Sequence, residues 1–318
     1  MATAAAEGRL GPAYAPDDRA ERRQARTDGW LRRLPLMPAL VFTIVVTQIP
    51  FLLTLYYSLQ SWNLARPNSQ HFVGLRNYAD VFSDKVFYSA LLHTVEITFG
   101  AVAIATLLGL GLAMLLDRKF IGRGLVRTLL ISPFLVMPAA AALLWKTTML
   151  DPVYGIVNWV LGWFGGGGVA FLSTHPLGSV IATVVWQWAP FEMLILLAGL
   201  QGQPRDVLEA ARVDGASTWA SFREVTLPHL RQYLELGVLL GAIYVVNTFD
   251  SIYLMTQGGP GTATTNLPFY IYQRAFQGFD VGQAAALGVV TVVGTIIVAS
   301  VALRLLFRLF IENEGGRG

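Results

Sequence analysis

Residues 209–217 read EAARVDGAS. Two carboxylates (Glu209 and Asp214), one arginine, the small residues Ala210, Ala211 and Ala216, and Gly215 fall within nine positions. The chemistry open to this set is contact rather than reaction. A carboxylate can accept a charge-assisted hydrogen bond, and alanines on a short helix let another protein's backbone come close. A second set lies inside apolar stretches. It comprises Trp186, Gln187, Trp188, Pro190, Phe191 and Glu192, then Tyr244, Asn247, Thr248, Asp250 and Tyr253. Amide and ionisable groups there are costly unless they face a cavity or a partner. A third set, Gly258, Gly259, Pro260 and Gly261, is turn-forming. No constellation for catalysis appears. The chain has no G-x-x-x-x-G-K-[ST] phosphate loop and no H-E-x-x-H. Its four histidines have no ligand spacing, so no metal site is expected. With no cysteine, disulfides and thiol-based sites are excluded.

These sets must be positioned by membrane-spanning elements. The chain has 318 residues, 54% hydrophobic and only 14% charged, against about a quarter charged in soluble domains. Apolar runs predict about six spans, at residues 34–59, 91–116, 126–149, 177–200, 234–255 and 284–310. The run 157–164 is too short to span and is expected in an external loop. Residues 1–33 read as a disordered basic cytoplasmic tail without a signal-peptide core, and 311–318 as a second tail. The tails and loops on one side hold eighteen Lys and Arg against five on the other. The positive-inside rule then places both termini in the cytoplasm. The loop 203–230, with EAARVDGAS, faces the cytoplasm on this reading, and loops 60–88, 150–176 and 257–282 face outside.

Within residues 203–230, Asp206 is expected as an N-cap with Glu209 at the third helical position, a capping box. Gly215 is the expected helix stop. Ser217 is expected to cap a second short helix that ends before Pro228. A well-capped connector accounts for the same residues. The three polar residues Tyr244, Asn247 and Thr248 are expected on one helical face, and Pro190 is expected to open a kink. Interhelix hydrogen bonding is the bland alternative for the polar span residues. His93 and Glu96 are expected to form a helix–helix pair. Gly258–Thr265 reads equally as a flexible turn.

The order E-A-A, three residues, G, nine residues, V-x-L-P resembles the signature of binding-protein-dependent ABC importer permeases, with Val225 where isoleucine is usual. FVGLRNYADVF at 72–82 and MTQGGPGTATTNLPFYIYQRAF at 255–276 also look like stretches of carbohydrate-uptake permeases. The chain is similar to type I permeases of the maltose-transporter kind. PFEMLILLAGLQ at 190–201, LPHLRQYLELGVLLGAIYVVNTFD at 227–250 and GGPGTATTNLP at 258–268 look most like the sorbitol/mannitol (polyol) permeases.

The resemblance implies an all-α membrane fold with the type I importer core. It implies a non-enzymatic pore subunit in a bacterial cytoplasmic membrane. The partners implied are a second permease of the same family (a heterodimer), an ATPase dimer carrying ATP and Mg, and an extracytoplasmic solute receptor, with membrane lipid around and no nucleic acid. It assigns ATPase coupling to Glu209, Ala210, Ala211, Asp214, Gly215, Leu227 and Pro228, and receptor docking to Gly258, Gly259, Pro260 and Gly261. A substrate, a polyol or small oligosaccharide, would meet Trp186, Gln187, Trp188, Phe191, Glu192, Tyr244, Asn247, Thr248 and Asp250. An ion-coupled secondary sugar transporter and a membrane enzyme are the competing classes. The coupling signature speaks against the first, and the lack of a titratable cluster against the second.

Overall fold

The structure is a computed structural model that describes residues 34–315. The expected tail 1–33 and the last three residues lie outside it. Two compact units divide between Leu53 and Thr54. The first described helix, α1 (Met37–Ser58), follows a short 3-10 turn at Leu34–Leu36 and crosses that boundary. A two-stranded antiparallel ladder follows, β1 (Gln60–Ser61) and β2 (His71–Phe72), with Gln60 opposite Phe72. The amide of Asn77 on α2 (Arg76–Ser83) donates to the carbonyls of Ser58 and Gln60 at 2.8 and 2.7 Å. That fixes the turn between α1 and the ladder.

The 33-residue helix α3 (Lys85–Asp117) begins at Asp84, whose carboxylate accepts from the Val86 amide at 2.8 Å. This side-chain cap starts the helix six residues earlier than the apolar run alone predicts. Next come α4 (Arg123–Leu135) and α5 (Pro138–Leu144), the latter continuing as a π turn to Met149. The expected span 126–149 is therefore not one helix, since the two pieces meet at 100°. Met137 precedes Pro138, and the proline ring pushes that residue out of the helical region. Val136 and Met137 are both extended, with ψ of 132° and 135°.

The short α6 (Ile156–Gly162) matches the run judged too short to span, and α7 (Phe171–Thr174) leads into α8 (Pro176–Gln201). Helices α9 (Arg205–Val213) and α10 (Thr218–Ser221) come next. A π turn at Phe222–Thr226 then joins α10 to α11 (Leu227–Val245). The chain breaks at residues 246–249 and resumes in a π turn, Ile252–Thr256. So the expected span 234–255 is also interrupted. Asn247 is the reason: its side chain bonds back to the Ile243 carbonyl at 2.8 Å, and the next amides bond three residues back instead of four. Last are α12 (Leu267–Tyr272), with its own π turn, and α13 (Val281–Gly315), which covers the sixth expected span and continues past residue 310.

By length and composition, α1, α3 and α8 can each cross a membrane among the described residues, and the bent α4–α5 pair makes a fourth. The longest shared interface is α3 against α8. One core, containing Ile97, Val180, Val184, Val245, Ile252 and Phe269, fills the space between α3, α8 and the end of α11. A second, with Ala113, Leu116, Met193, Leu196 and Leu197, joins the other halves of α3 and α8. Within lipid such contacts are held by van der Waals packing, not by exclusion from water.

Candidate functional site

The EAARVDGAS stretch forms α9 and the turn after it. The helix ends as predicted at Gly215, whose φ is +81°. The Ala216 amide donates to the Ala211 carbonyl at 2.9 Å and the Gly215 amide to Arg212 at 3.1 Å, a Schellman arrangement. Ser217 caps α10, accepting from the Ala220 amide at 3.2 Å. The other end departs from expectation. The N-cap is Pro204, extended at φ −61° and ψ 126°, with no side-chain cap. Asp206 is therefore inside the first turn, where its charge suits the positive helix end. Glu209 is five positions in, too deep to reach back to the cap, so the capping box does not form. Glu209, Ala210, Asp214 and Gly215 are exposed and Ala211 is half-buried. An added Cβ at Gly215 would meet nothing within 4 Å. Val213 (87% exposed) and Trp219 (69%) stand on the same surface.

No helix stop occurs at Pro228. It opens α11 directly after the π turn, whose longer-range bonds accommodate the missing N–H. The π turn carries the helical path through, with the Leu227 amide reaching the Phe222 carbonyl. Thr218 to Val245 is thus helical throughout. The start of α11 is tied to the end of α8. His229 Nε2 lies 3.0 Å from the Gly199 carbonyl, and a Cβ at Gly199 would collide with the Tyr233 ring at 2.7 Å.

The polar residues of the spans separate into different environments. Trp188 stacks on Tyr244 with ring centroids 5.2 Å apart, and Phe134 of α4 stacks on Phe191 at 5.4 Å. Trp188 meets Phe134 and Phe191 edge-on, each at 5.6 Å. Phe134 was not anticipated; Pro133 beside it, near the span break, is the one signal that could have drawn attention to it. Trp186 packs edge-on to Trp145 instead. Gln187 is buried, and its Nε2 donates to the Val136 carbonyl at 2.9 Å, one of the carbonyls freed by the α4–α5 bend. Helix α8 continues through Pro190 without a break. Tyr244, Asn247 and Thr248 do not share a helical face, because α11 ends at Val245. Asn247 is exposed and Asp250 opens the turn beyond the break. The Thr248 carbonyl takes a 2.5 Å bond from Asn266. Glu192 is 1% exposed, enclosed by α3 and α11.

The stretch Gly258–Thr265 is not a flexible turn. The Gly258 carbonyl accepts from the Thr264 amide at 3.0 Å and the Thr265 hydroxyl at 3.3 Å. Thr256 and Thr264 hydroxyls lie 2.7 Å apart. Thr264, Thr265 and Asn266 are buried, and only Pro260, Gly261 and Thr262 stand out at the tip. His93 joins this loop: Nδ1 lies 3.2 Å from the Thr265 carbonyl, while Glu96 is exposed on the same helix, so the two do not pair. Beside it, Tyr270 and Arg274 both bond the Asp84 carboxylate. Burial raises the Asp84 pKa, but the bonds from Tyr270, the Val86 amide and Arg274 outweigh it and hold the carboxyl below its ordinary value.

Residues 20–311 match the family of the binding-protein-dependent transport system inner membrane component. A probable ABC transporter permease protein of Sinorhizobium fredii is 40% identical over 276 residues, covering 86% of this chain and 88% of that protein. A trehalose/maltose transport system permease protein of Thermococcus litoralis is 37% identical over 268 residues, 83% of this chain and 88% of its own length. A bacterial alginate ABC transporter, solved with its alginate pentasaccharide-bound periplasmic protein, has a chain of the same fold. Its TM-score is 0.77 at 21% identity, over 90% of this chain and 97% of that one.

Proposed function

The chain belongs to the family of binding-protein-dependent transport system inner membrane components, and on that premise we propose that it is the permease subunit of an ATP-driven carbohydrate importer. The observation that carries the proposal is the α9 surface. Glu209, Ala210, Asp214 and Gly215 are exposed there, with no side-chain partner for Glu209 among the described residues. That surface opens directly into an uninterrupted helical run reaching the middle of the bundle. A separate ATPase dimer, binding ATP and Mg, grips α9. Glu209 meets a cation of the ATPase, the alanines keep the helix slim, and Leu227 and Pro228 pass movement into α11. Both termini and this loop lie in the cytoplasm, and the membrane is the bacterial cytoplasmic membrane. Residues 34–310 form the permease domain between two tails.

Outside, a solute receptor docks on the exposed tip at Pro260 and Gly261, with Gly258 buried and Gly259 half-buried beneath it holding the loop's shape. Within the membrane, the ring faces of Trp188, Phe191 and Tyr244, with Phe134, supply the apolar platform a sugar ring stacks on. Asn247, Thr248 and Asp250 follow at the break after Val245, and Trp186 packs on Trp145. A second permease completes the pathway. The substrate is a small oligosaccharide or polyol. The relative from Thermococcus litoralis is named for trehalose and maltose, which favours the disaccharide, whereas the stretch 190–201 resembles polyol permeases.

The decisive experiment reconstitutes the chain with its ATPase and receptor. Gly215→Trp should insert into the membrane normally, yet abolish uptake while basal ATP hydrolysis persists. Uptake at the level of the unsubstituted protein would overturn the assignment. Titrating the receptor with disaccharides and polyols identifies the substrate.

A further inference from the structure

Helix α8 carries a single ionisable side chain, Glu192, and it is 1% exposed. Its seat is built from glycines of two other helices. A Cβ on Gly109 of α3 would fall 2.7 Å from Glu192 Cβ and 2.8 Å from the Met193 nitrogen. On α11, a Cβ on Gly241 would fall 2.7 Å from Glu192 Oε1, and one on Gly237 would collide with Oε2. Gly237 and Gly241 are four apart, one helical face, a groove of the kind that usually receives a neighbouring backbone. Here it receives a carboxyl.

That carboxyl has no counter-ion among the described residues. Residues 97–116 of α3, and 236–245 of α11 with the break 246–249 after it, contain no Asp, Glu, Lys, Arg or His. The nearest on those helices are Glu96, Asp117 and Glu235, and Glu235 pairs with Arg231 at 2.8 Å. Helix α4, which also packs on α8, has only Arg123 and Arg127, neither in an ion pair with Glu192. Among the described residues Glu192 Oε2 makes no close hydrogen bond, and the polar group facing the carboxyl is the buried Thr106 hydroxyl, one turn from Gly109 and itself without another partner. An ionised carboxylate in such a place is strongly disfavoured.

We propose that Glu192 is a proton-binding site: neutral when seated in the Gly237–Gly241 groove, and ionised when α11 moves off α8 and water reaches it. The proton is taken from water on seating and returned to water on release. The inference rests on the reading that α11 moves during transport. Because the seated state binds one more proton, it is favoured at low pH, and the seated-to-released ratio falls by up to about tenfold per pH unit above the carboxyl's pKa.

The chain has no cysteine, so spin labels can be attached at Ala198→Cys on α8 and Leu236→Cys on α11, both exposed positions. The distance between them is measured in the reconstituted transporter from pH 5 to pH 9. The shorter distance should give way to the longer as pH rises. Glu192→Gln should hold the shorter distance at every pH, and Gly241→Ala, which obstructs the seat, should shift the population to the longer one even at pH 5. A pH-independent distance in the unsubstituted chain, or an unchanged pH dependence in Glu192→Gln, overturns the proposal. Failure of ATP to alter the distance at fixed pH would instead overturn the coupling reading and leave the pH series to stand or fall alone.

Discussion

Two glycine-bearing connectors of this molecule look alike in sequence and differ in construction. Gly215 and Gly258 both have φ of +81°. Around Gly215 there is open space, so only the left-handed backbone demands glycine. Around Gly258 a Cβ would lie 2.5 Å from Thr265 Oγ1 and 2.7 Å from the Phe269 ring, so the backbone and the neighbours both demand it. The first connector is fixed at its ends by caps and bares its middle. The second is fixed along its length by hydroxyls and bares only its tip. On the proposed roles, a segment gripped by a partner needs side chains left free, and a segment holding a shape for another molecule needs them spent inside.

This contrast can be broken most directly at Gly258. Gly258→Ala adds a collision to a left-handed conformation and should cost about 3 kcal/mol, read as a large drop in the thermal stability of the purified protein. Asn266→Ala comes next. It removes the partly buried bond to the Thr248 carbonyl and the buried 3.0 Å cap on the Phe269 amide, at about 2 kcal/mol. The exposed connector should respond less. Gly215→Ala is expected to cost about 1 kcal/mol, from backbone strain alone. If Gly215→Ala proved as damaging as Gly258→Ala in the isolated chain, the distinction between the two connectors would collapse. Ser217→Ala, losing one exposed cap, should cost about 0.5–1 kcal/mol, visible as faster amide exchange in α10. Smallest is the acid response beside the buried loop. The folded Asp84 carboxyl sits below its ordinary value, so its stabilisation is present above that ordinary value and is lost as pH falls through the folded one. Asp84→Asn should flatten this part of the acid unfolding curve.

Much of this was legible in the residues. Apolar runs placed α1, α3, α8 and α13, and the glycine stop and serine cap of the 203–230 loop follow from local rules. Three things were hidden for physical reasons. Pro204 takes the cap position in place of Asp206: its ring fixes φ near the helical value while ψ is extended at 126°, so the helix starts without any side-chain bond. The breaks at Val136–Met137 and after Val245 arise from one proline and one asparagine inside otherwise apolar runs, too small a signal to divide a span counted by hydropathy. The seat of Glu192 and the ring cluster with Phe134 join residues far apart in sequence, and only the packing of α3, α4, α8 and α11 brings them together.

The run from Thr218 to Val245 has a mechanical consequence. At 1.5 Å per residue it is a rod about 40 Å long, and a swing of about 5° at one end moves the other by about 3 Å. Its near end is the three-residue bend Gly215–Ser217, and its far end is Val245, against Ile97 and Ile252. If an ATPase grips α9 as proposed, small rotations imposed at the bend are enlarged where the rings of Trp188 and Tyr244 meet.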